Sequence, residues 1–513
     1  MQTRYGFPTS TPEARGLSSK AILAFIKEIE REHINLQSLI IMRQGHVIAD
    51  GFWAPFGPEK PHRMFSSRKA LIGVAILFAI QEGFLHLEDR VIDLFPDKVP
   101  SHPGENLQKL TYYHMLTMTC GHAIDSSQAM IAPGADRPEV FFQQEFRYEP
   151  GTHFLYDNGI PDMLCHTIAH LTGKTILEYL QPRLFEPLGM KSFCTHTLDS
   201  LSAGTTICCS TPDLFRLTIL YYQDGTWEGR QILNKELARM ACSYLVPSLQ
   251  DPEPAAVAYD TKFGFGFQIW RNSVGGFRID GGQGQFGIGL PEMDLVACMN
   301  SNEGDQNIIP TLFWKHITSK LQAMPLTEDV QAFTALQQKV QSLTWAPVED
   351  AVQVVPLAAD YLFDRPLLGC ERMRINYSDR KMTIITTIGT ASVELLIGAP
   401  GEWNKGRSPF IFPEMVESTD LVNTTIPGYD PAEVYSSGHW VSGNKYELIF
   451  RSDAWIATHI ITLEFRGGGL TAVHEDGITY SMRQRSPAFR PAIFETREKL
   501  ILDTYLAVTV DLE

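Results

Sequence analysis

A chain of 513 residues exceeds the roughly 250–300 residues at which one hydrophobic core stops growing, so two domains are expected. A hydrophobic fraction of 44% against 20% charged residues excludes a disordered or fibrous chain. A formal net charge of −16, with no basic stripe to neutralise phosphates, argues against nucleic acid as a partner.

In chain order, the N-terminus carries no signal-peptide apolar core, and the longest apolar run, Ala70 to Ile80, falls short of the ~20 residues a membrane span needs. A cytoplasmic protein without a membrane partner is therefore expected. Two apolar runs, Leu39 to Met42 and His46 to Ala49, flank Gln44-Gly45 and predict a hairpin at the start of a sheet. From Ser66 to about Ile80 the chain is almost uniformly apolar after Lys69, which predicts an interior helix stopped near Glu82-Gly83. Further helices are predicted over Leu110 to Met118, Pro161 to Leu171 ahead of Gly173, and Thr175 to Leu188. Strands are predicted over Phe263 to Trp270 and Asp294 to Met299.

Beyond about residue 325 the texture changes. An amphipathic stretch, Asp329 to Ser342, leads through Trp345-Ala346-Pro347 into short β-type runs at Met373 to Tyr377, Met382 to Ile388, Tyr446 to Phe450 and Ile460 to Phe465. The expected division is a first domain over residues 1–325, a linker over 326–345 and a smaller, mostly antiparallel β domain over 346–513. Eight cysteines lack any C-x-x-C spacing, so neither a zinc site nor a disulfide framework is signalled, and no cofactor or metal is expected.

Ser-x-x-Lys occurs three times, at Ser66 to Lys69, Ser378 to Lys381 and Ser442 to Lys445, where about one chance match is expected. Context separates them. Only Ser66 opens a helix, where i and i+3 share a face and a Lys amine comes near the Ser hydroxyl. Ser378 and Ser442 lie in polar turns between strand-like runs. A serine hydroxyl needs a base to become a nucleophile, and a Lys buried among apolar groups loses enough of its charge to serve. Unpaired N–H groups at the helix start add anion stabilisation beside Ser66.

The run Phe65-Ser66-Ser67-Arg68-Lys69, with Glu82-Gly83, Leu87 to Val91 and Phe95-Pro96-Asp97 after it, resembles the first motif of the serine β-lactamase, penicillin-binding-protein and class C esterase group. Leu116 to His122 is similar to that group's "LLTMTSG" segment, and Glu149-Pro150-Gly151-Thr152 leading to Tyr156-Asp157-Asn158 resembles its Tyr-x-Asn motif. Thr172-Gly173-Lys174 and Phe185 to Met190 follow in order, so the likeness runs from about residue 12 to 320.

The resemblance implies an α/β (α+β) fold of the β-lactamase/transpeptidase kind. Its features would be an antiparallel sheet flanked by helices and a helical subdomain that supplies Tyr156. It implies a Ser66 nucleophile, Lys69 and Tyr156 for proton transfer, Asn158 bonded to Lys69 and to the substrate amide, and an oxyanion hole from the N–H groups of Ser66 and Gly282. The third motif departs from the pattern: Ile279-Asp280-Gly281-Gly282, followed by Gln283, stands where penicillin-recognising members carry Lys-Thr-Gly or a His-x-Gly variant. Asp280, Gly281 and Gln283 are candidate substrate contacts, and the cation that grips a penicillin carboxylate is missing. Arg278 is expected to face the same way as Asp280.

The same stretch matches G-x-G-x-x-G, but Ile288-Gly289-Leu290-Pro291 breaks the helix that a dinucleotide site requires. No G-x-S-x-G elbow or H-E-x-x-H helix is present. His62, His114 and His122 read as structural, with His122 a candidate to line the cleft. The expected activity is hydrolysis of a small ester, amide or peptide through a Ser66 acyl-enzyme. The alternatives are a D-amino-acid peptidase or amidase, a penicillin-binding DD-peptidase, and a silent binding module on the same scaffold.

Overall fold

The computed structural model describes residues 3–130, 135–195, 207–249, 259–305, 307–345, 357–367, 370–388, 391–408, 433–452, 458–466 and 469–476. Gln44 and Gly45 both take positive φ, 48° and 71°, the conformation of a two-residue hairpin turn. They join β1 (Leu36–Arg43) to β2 (His46–Phe52) in antiparallel register. Every residue of β1 is buried, as befits a strand covered on both faces.

Ahead of this hairpin, α1 (Ser19–Arg31) is capped by the Ser18 hydroxyl and buries Ile22, Phe25, Ile26 and Ile29. After it, β3 (Pro61–Arg63), β4 (Cys194–Thr195) and β5 (Ile207–Ser210) form a small sheet in the order β3-β5-β4. The chain leaves β3 through Met64, whose N–H donates to Ile207 O, and enters α2 (Arg68–Gln81). Residues 68–79 of α2 are all buried, and the helix ends where Gly83 takes φ 76°. Its packing partner is α3 (Gly159–Thr172), stopped by Gly173 in the left-handed region.

The large sheet is completed by β6 (Trp270–Arg271), β7 (Phe277–Gly281), β8 (Gln285–Leu290) and β9 (Leu295–Ser301). Its six strands run β6-β7-β8-β9-β1-β2, antiparallel throughout. Helix α4 (Thr211–Tyr222) packs across β1, β8 and β9. Helix α5 (Ile308–His316) sets Phe313 edge-on to Phe25 of α1.

Three expectations need correction. Phe263 to Trp270 is not a continuous strand, because Gly264 (φ 107°) and Gln268 (φ 61°) turn the backbone; only isolated bridges and the short β6 pair there. Thr175 to Leu188 is not one helix. Pro182 and Pro187 each lack an N–H, and the run breaks into Ile176–Leu180, a π turn over Gln181–Phe185 and a last turn Glu186–Leu188. Residues 330–341, read from the sequence as part of a linker, form α6 (Val330–Gln341), capped by Asp329 and tied to α1 by Lys20–Asp329 and Lys339–Glu30 ion pairs.

The chain accordingly divides into two units between Leu343 and Thr344. The second unit holds a four-stranded sheet, β10 (Leu357–Leu367), β11 (Cys370–Ser378), β12 (Lys381–Ile388) and β13 (Ala391–Ile397). A five-stranded sheet follows in chain order: β14 (Asn404–Arg407), β15 (Glu433–Ser442), β16 (Lys445–Ser452), β17 (Thr458–Arg466) and β18 (Gly469–Asp476). Met373, Ile384, Leu395, Trp440, Tyr446 and Leu463 share one core between them. Among the described residues, no helix is long and apolar enough to cross a membrane.

One core group of the first unit carries a pH signature. His62 on β3 is 1% exposed, and neither ring nitrogen has a hydrogen-bond partner among the described residues. Burial pushes its pKa down from 6.5 to about 3. The unfolded chain therefore takes up a proton in that window while the folded chain does not, so stability falls as pH drops from 6.5 towards 3. Urea denaturation at about pH 6 and pH 4 is expected to show wild type losing roughly 2 kcal/mol more than His62→Gln, at about 1.4 kcal/mol per pH unit. Parallel losses in the two proteins would mean that His62 is already protonated or hydrated in the fold.

Candidate active site

Phe65 to Ser67 form a single tight turn between β3 and α2. Phe65 takes φ 46°, a conformation that costs a bulky residue about 1–3 kcal/mol and persists only where the surroundings enforce it. The enforcement is visible. The Ser67 hydroxyl and N–H both donate to Met64 O, at 2.6 and 2.9 Å. The Arg68 guanidinium and backbone N–H both donate to Phe65 O, and the Arg63 guanidinium lies 5.0 Å over the Phe65 ring.

One helical turn on, Lys69 Nζ lies 3.0 Å from Ser66 Oγ and donates to Asn158 Oδ1 at 2.7 Å. The Tyr156 ring is 4.5 Å from the amine, centroid to nitrogen. Lys69 is 1% exposed. Burial pushes its pKa well below the ordinary lysine value, the Arg68 cation acts in the same direction, and Asp125, Asp162 and Asp157 oppose them. Tyr156 is pushed the other way: burial raises its pKa, a hydrogen bond with Ser66 pulls it back, and Asp280 raises it. Its ring stacks on Trp270 with centroids 5.2 Å apart.

The Tyr-x-Asn loop is held from behind by two carboxylates. Asp125 accepts from Asn158 Nδ2 at 2.7 Å and from the Asn158 and Ser127 N–H groups at 3.2 and 2.8 Å. This fixes the Asn158 amide so that its oxygen, not its nitrogen, faces Lys69. Asp157 accepts from the Ser126 hydroxyl and N–H and from the Gly159 N–H, and pairs with His122 Nδ1 at 2.7 Å. His122 does not line the cleft. It is 1% exposed, packed against Phe141 and Phe146, because the buried Asp157 needs a partner there. His114 caps a short helix over Tyr112–Leu116, accepting the Thr111 N–H.

Strand β7 closes the other side. A Cβ on Gly281 would sit 2.4 Å from Met64 O and 3.0 Å from Ser67 N, so only glycine lets the strand meet the nucleophile turn. Gly282 and Gln283 continue into a turn closed by Gly284 N–H to Gly281 O. The Gln283 carbonyl accepts the Glu303 N–H at 3.0 Å, and its side-chain oxygen is buried without a partner among the described residues. Arg278 and Asp280 share a face, as alternation predicts. Arg278 donates to Asp280 Oδ2 at 2.8 Å and to Asn272 Oδ1 at 2.8 Å, and its side chain is 1% exposed. The charge of Asp280 is thus already engaged within the fold.

The structure therefore gathers Ser66, Lys69, Tyr156, Asn158 and Gly281, with Asp280 in electrostatic range of Tyr156. Ser378 and Ser442 lie at hairpin ends in the second unit, cross-strand from Lys381 and Lys445. Among the described residues no cluster of three or more His, Cys, Asp or Glu could hold a metal. Asp125 was not singled out from the sequence, since it lies 33 positions from the Asn158 it orients and belongs to no local motif. Arg68 was visible inside the first motif, but nothing in the sequence gave it a direction.

A serine beside a buried lysine at the start of an interior helix, with a Tyr-x-Asn loop and a glycine strand closing in, defines a β-lactamase-type centre. The family model described as Beta-lactamase matches residues 26–307, more than half of the chain, and the chain belongs to that family. "Protein flp" of Staphylococcus aureus (strain MW2) is 26% identical over 177 residues, 32% of this chain and 35% of that protein. The D-aminopeptidase of Brucella anthropi is 25% identical over 187 residues, 34% of this chain and 35% of that enzyme. In both cases the match spans about a third of the relative's length. A penicillin-binding protein homologue from Caulobacter crescentus superposes with a TM-score of 0.48 at 15% identity, covering 60% of this chain and 99% of that one.

The close approach of β7 is open to a direct test. Gly281→Ala is expected to destabilise the first unit by about 1–3 kcal/mol in urea denaturation, because the neighbouring atoms are backbone and cannot swing aside. Alanine at Gly57, where a Cβ meets nothing within 4 Å, is the matched control. Equal stability of the two variants would show that β7 stands off from the turn.

Proposed function

We propose that this chain is a serine hydrolase that cleaves an ester or amide through an acyl-enzyme on Ser66. The observation that carries the reading is the 3.0 Å approach of a fully buried lysine amine to Ser66 Oγ, in surroundings that favour the neutral amine. Neutral Lys69 takes the Ser66 proton as the hydroxyl oxygen attacks the substrate carbonyl. The N–H groups of Ser66 and Gly282 hold the oxyanion. Tyr156 donates its proton to the leaving group and recovers one from Lys69; water then attacks the acyl-enzyme, and its proton returns by the same groups. Asn158 holds Lys69 in place and offers its remaining amide hydrogen to the substrate. Membership in the beta-lactamase family supports this chemistry. The relationship to a D-aminopeptidase favours D-aminoacyl amides as a second substrate class to examine.

Ser66→Ala is expected to abolish hydrolysis of p-nitrophenyl esters and fluorophosphonate labelling while leaving the thermal transition in place, since one oxygen is removed and no cavity is created. Lys69→Arg is expected to be nearly as damaging as Lys69→Ala, each lowering kcat/KM about a thousandfold or more, because arginine keeps the charge but cannot give up a proton. The neutral amine is the active form, so kcat/KM rises with pH through the lowered Lys69 pKa and levels off well below the ordinary lysine value. A rise confined to pH near 10.5 would assign the base to another group.

The paired state of Arg278 bears on substrate choice. A penicillin or cephalosporin presents a carboxylate, and a charge-assisted hydrogen bond to it is worth roughly 1.5–3 kcal/mol. Arg278 is committed to Asp280 and Asn272 and offers no such bond. Turnover of p-nitrophenyl butyrate is expected to exceed that of nitrocefin by about ten- to a hundredfold in kcat/KM on one preparation. Nitrocefin turnover of comparable size, lost on Arg278→Ala, would make Arg278 a carboxylate ligand instead.

A further inference from the structure

Arg68 is 7% exposed, at the first position of α2 and immediately before Lys69. Buried arginines are ordinarily matched with a carboxylate. Among the described residues Arg68 forms no ion pair: its guanidinium makes a single hydrogen bond, from Nη1 to Phe65 O at 2.9 Å, and its Nε is buried without a partner. A buried cation held this way costs stability. The oxygen it grips belongs to the positive-φ residue that immediately precedes Ser66.

We propose that Arg68 is a positioning residue of the reaction, clamping the strained Phe65 peptide so that Ser66 faces Lys69 and setting a fixed positive charge beside the Lys69 amine. The inference rests on the Ser66–Lys69 reading above. The clamp is geometric: the Phe65 carbonyl receives both the backbone N–H and the side chain of Arg68, which ties the turn to the first residue of a rigid, buried helix.

The electrostatic part depends on everything that faces the amine. Asp125 from the loop ahead of Ser126, Asp157 from the Tyr-x-Asn loop and Asp162 from α3 all favour a protonated Lys69. Asp157 is hydrogen-bonded to His122 Nδ1 at 2.7 Å, and Asp162 is paired with the Arg137 cation at 3.2 Å. Beyond Tyr156, Asp280 of β7 is offset by Arg278. Arg68 is the cation that acts on Lys69 against these acids and in the same sense as burial. Without it, three carboxylates would face an amine that must stay neutral to accept the Ser66 proton.

The test compares wild type, Arg68→Gln, Arg68→Lys and Ser66→Ala as full chains. It uses kcat/KM for p-nitrophenyl butyrate and the rate of fluorophosphonate labelling from about pH 5 to pH 10, with thermal unfolding of each protein. Arg68→Gln removes the charge, so the acid limb of both profiles is expected to move up by about one pH unit. The rate on that limb then falls about tenfold and recovers at alkaline pH. Arg68→Lys keeps the charge without the planar fork, so its limb is expected to stay near that of wild type while its plateau drops several-fold.

A uniform loss at all pH values in Arg68→Gln, with no movement of the limb, would overturn the proposal and leave Arg68 a packing residue. Loss of the folding transition in both Arg68 variants would overturn it in the same way. If wild type turns over no ester and is not labelled at Ser66, the hydrolase reading fails first and takes the role of Arg68 with it. A labelled, active wild type with an unmoved limb defeats the role of Arg68 alone.

Discussion

A lysine ammonium carried into a protein interior loses its hydration, and giving up the proton is the cheapest way to avoid that loss. Lys69 occupies a helix that is buried from residue 68 to residue 79, so the helix can pack only if the amine becomes neutral or is fully partnered. The partners in direct contact carry no charge: one amide oxygen, one hydroxyl and the face of an aromatic ring. A carboxylate in direct contact would have restored the charge, and the acids nearby are set one layer back. Asp125 reaches Lys69 only through Asn158, and Asp157 is occupied by His122.

That arrangement fixes the backbone around it. Ser66 must stand at the helix start to be within reach of an amine one turn later, and the entry from β3 therefore bends through an unfavourable φ at Phe65. The strain is confined to one residue, and contacts from Met64, Arg63 and Arg68 surround it. On the far side β7 approaches until the backbone of Gly281 meets that of Met64 and Ser67, a distance no side chain allows. The six-stranded sheet and the interior helix are thus brought together at one point.

Much of this was legible in the sequence because its causes are local. Gln44-Gly45 announces its own turn, and the unbroken apolar run after Lys69 leaves a helix nowhere to lie but in the interior. Pro182 and Pro187 are equally local signals, and they break the run from Thr175 that otherwise has the pattern of one helix. Other features have causes far away in the chain. Phe263 to Trp270 has the composition of a strand, yet Gly264 and Gln268 take positive φ, and Phe265 bridges to both Val246 and Trp270. Asp125 acquires its position only when Asn158 arrives beside it, and His122 acquires its partner from the residue after Tyr156. No spacing rule reads such pairs, since neither member constrains its neighbours in sequence.

The charge pattern of the site also narrows how a proton would move in the proposed reaction. Lys69 and Tyr156 are both buried, and burial disfavours charge on each, lowering the one pKa and raising the other. Both shifts favour the uncharged forms, a neutral amine and a neutral phenol. A tyrosinate base would have to form within the field of Asp280, whose negative charge raises the Tyr156 pKa further even though Asp280 is paired with Arg278. Groups whose environments push them apart in this way divide the labour between them. On the proposed mechanism Lys69 is the group able to accept the Ser66 proton, and Tyr156 is the group able to deliver one to the departing atom. On that mechanism the Arg278–Asp280 pair would do more than withhold a cation from substrate. Drawing Arg278 away to bind a carboxylate would leave Asp280 uncompensated beside the phenol, and the donor needed for the leaving group would become a poorer one.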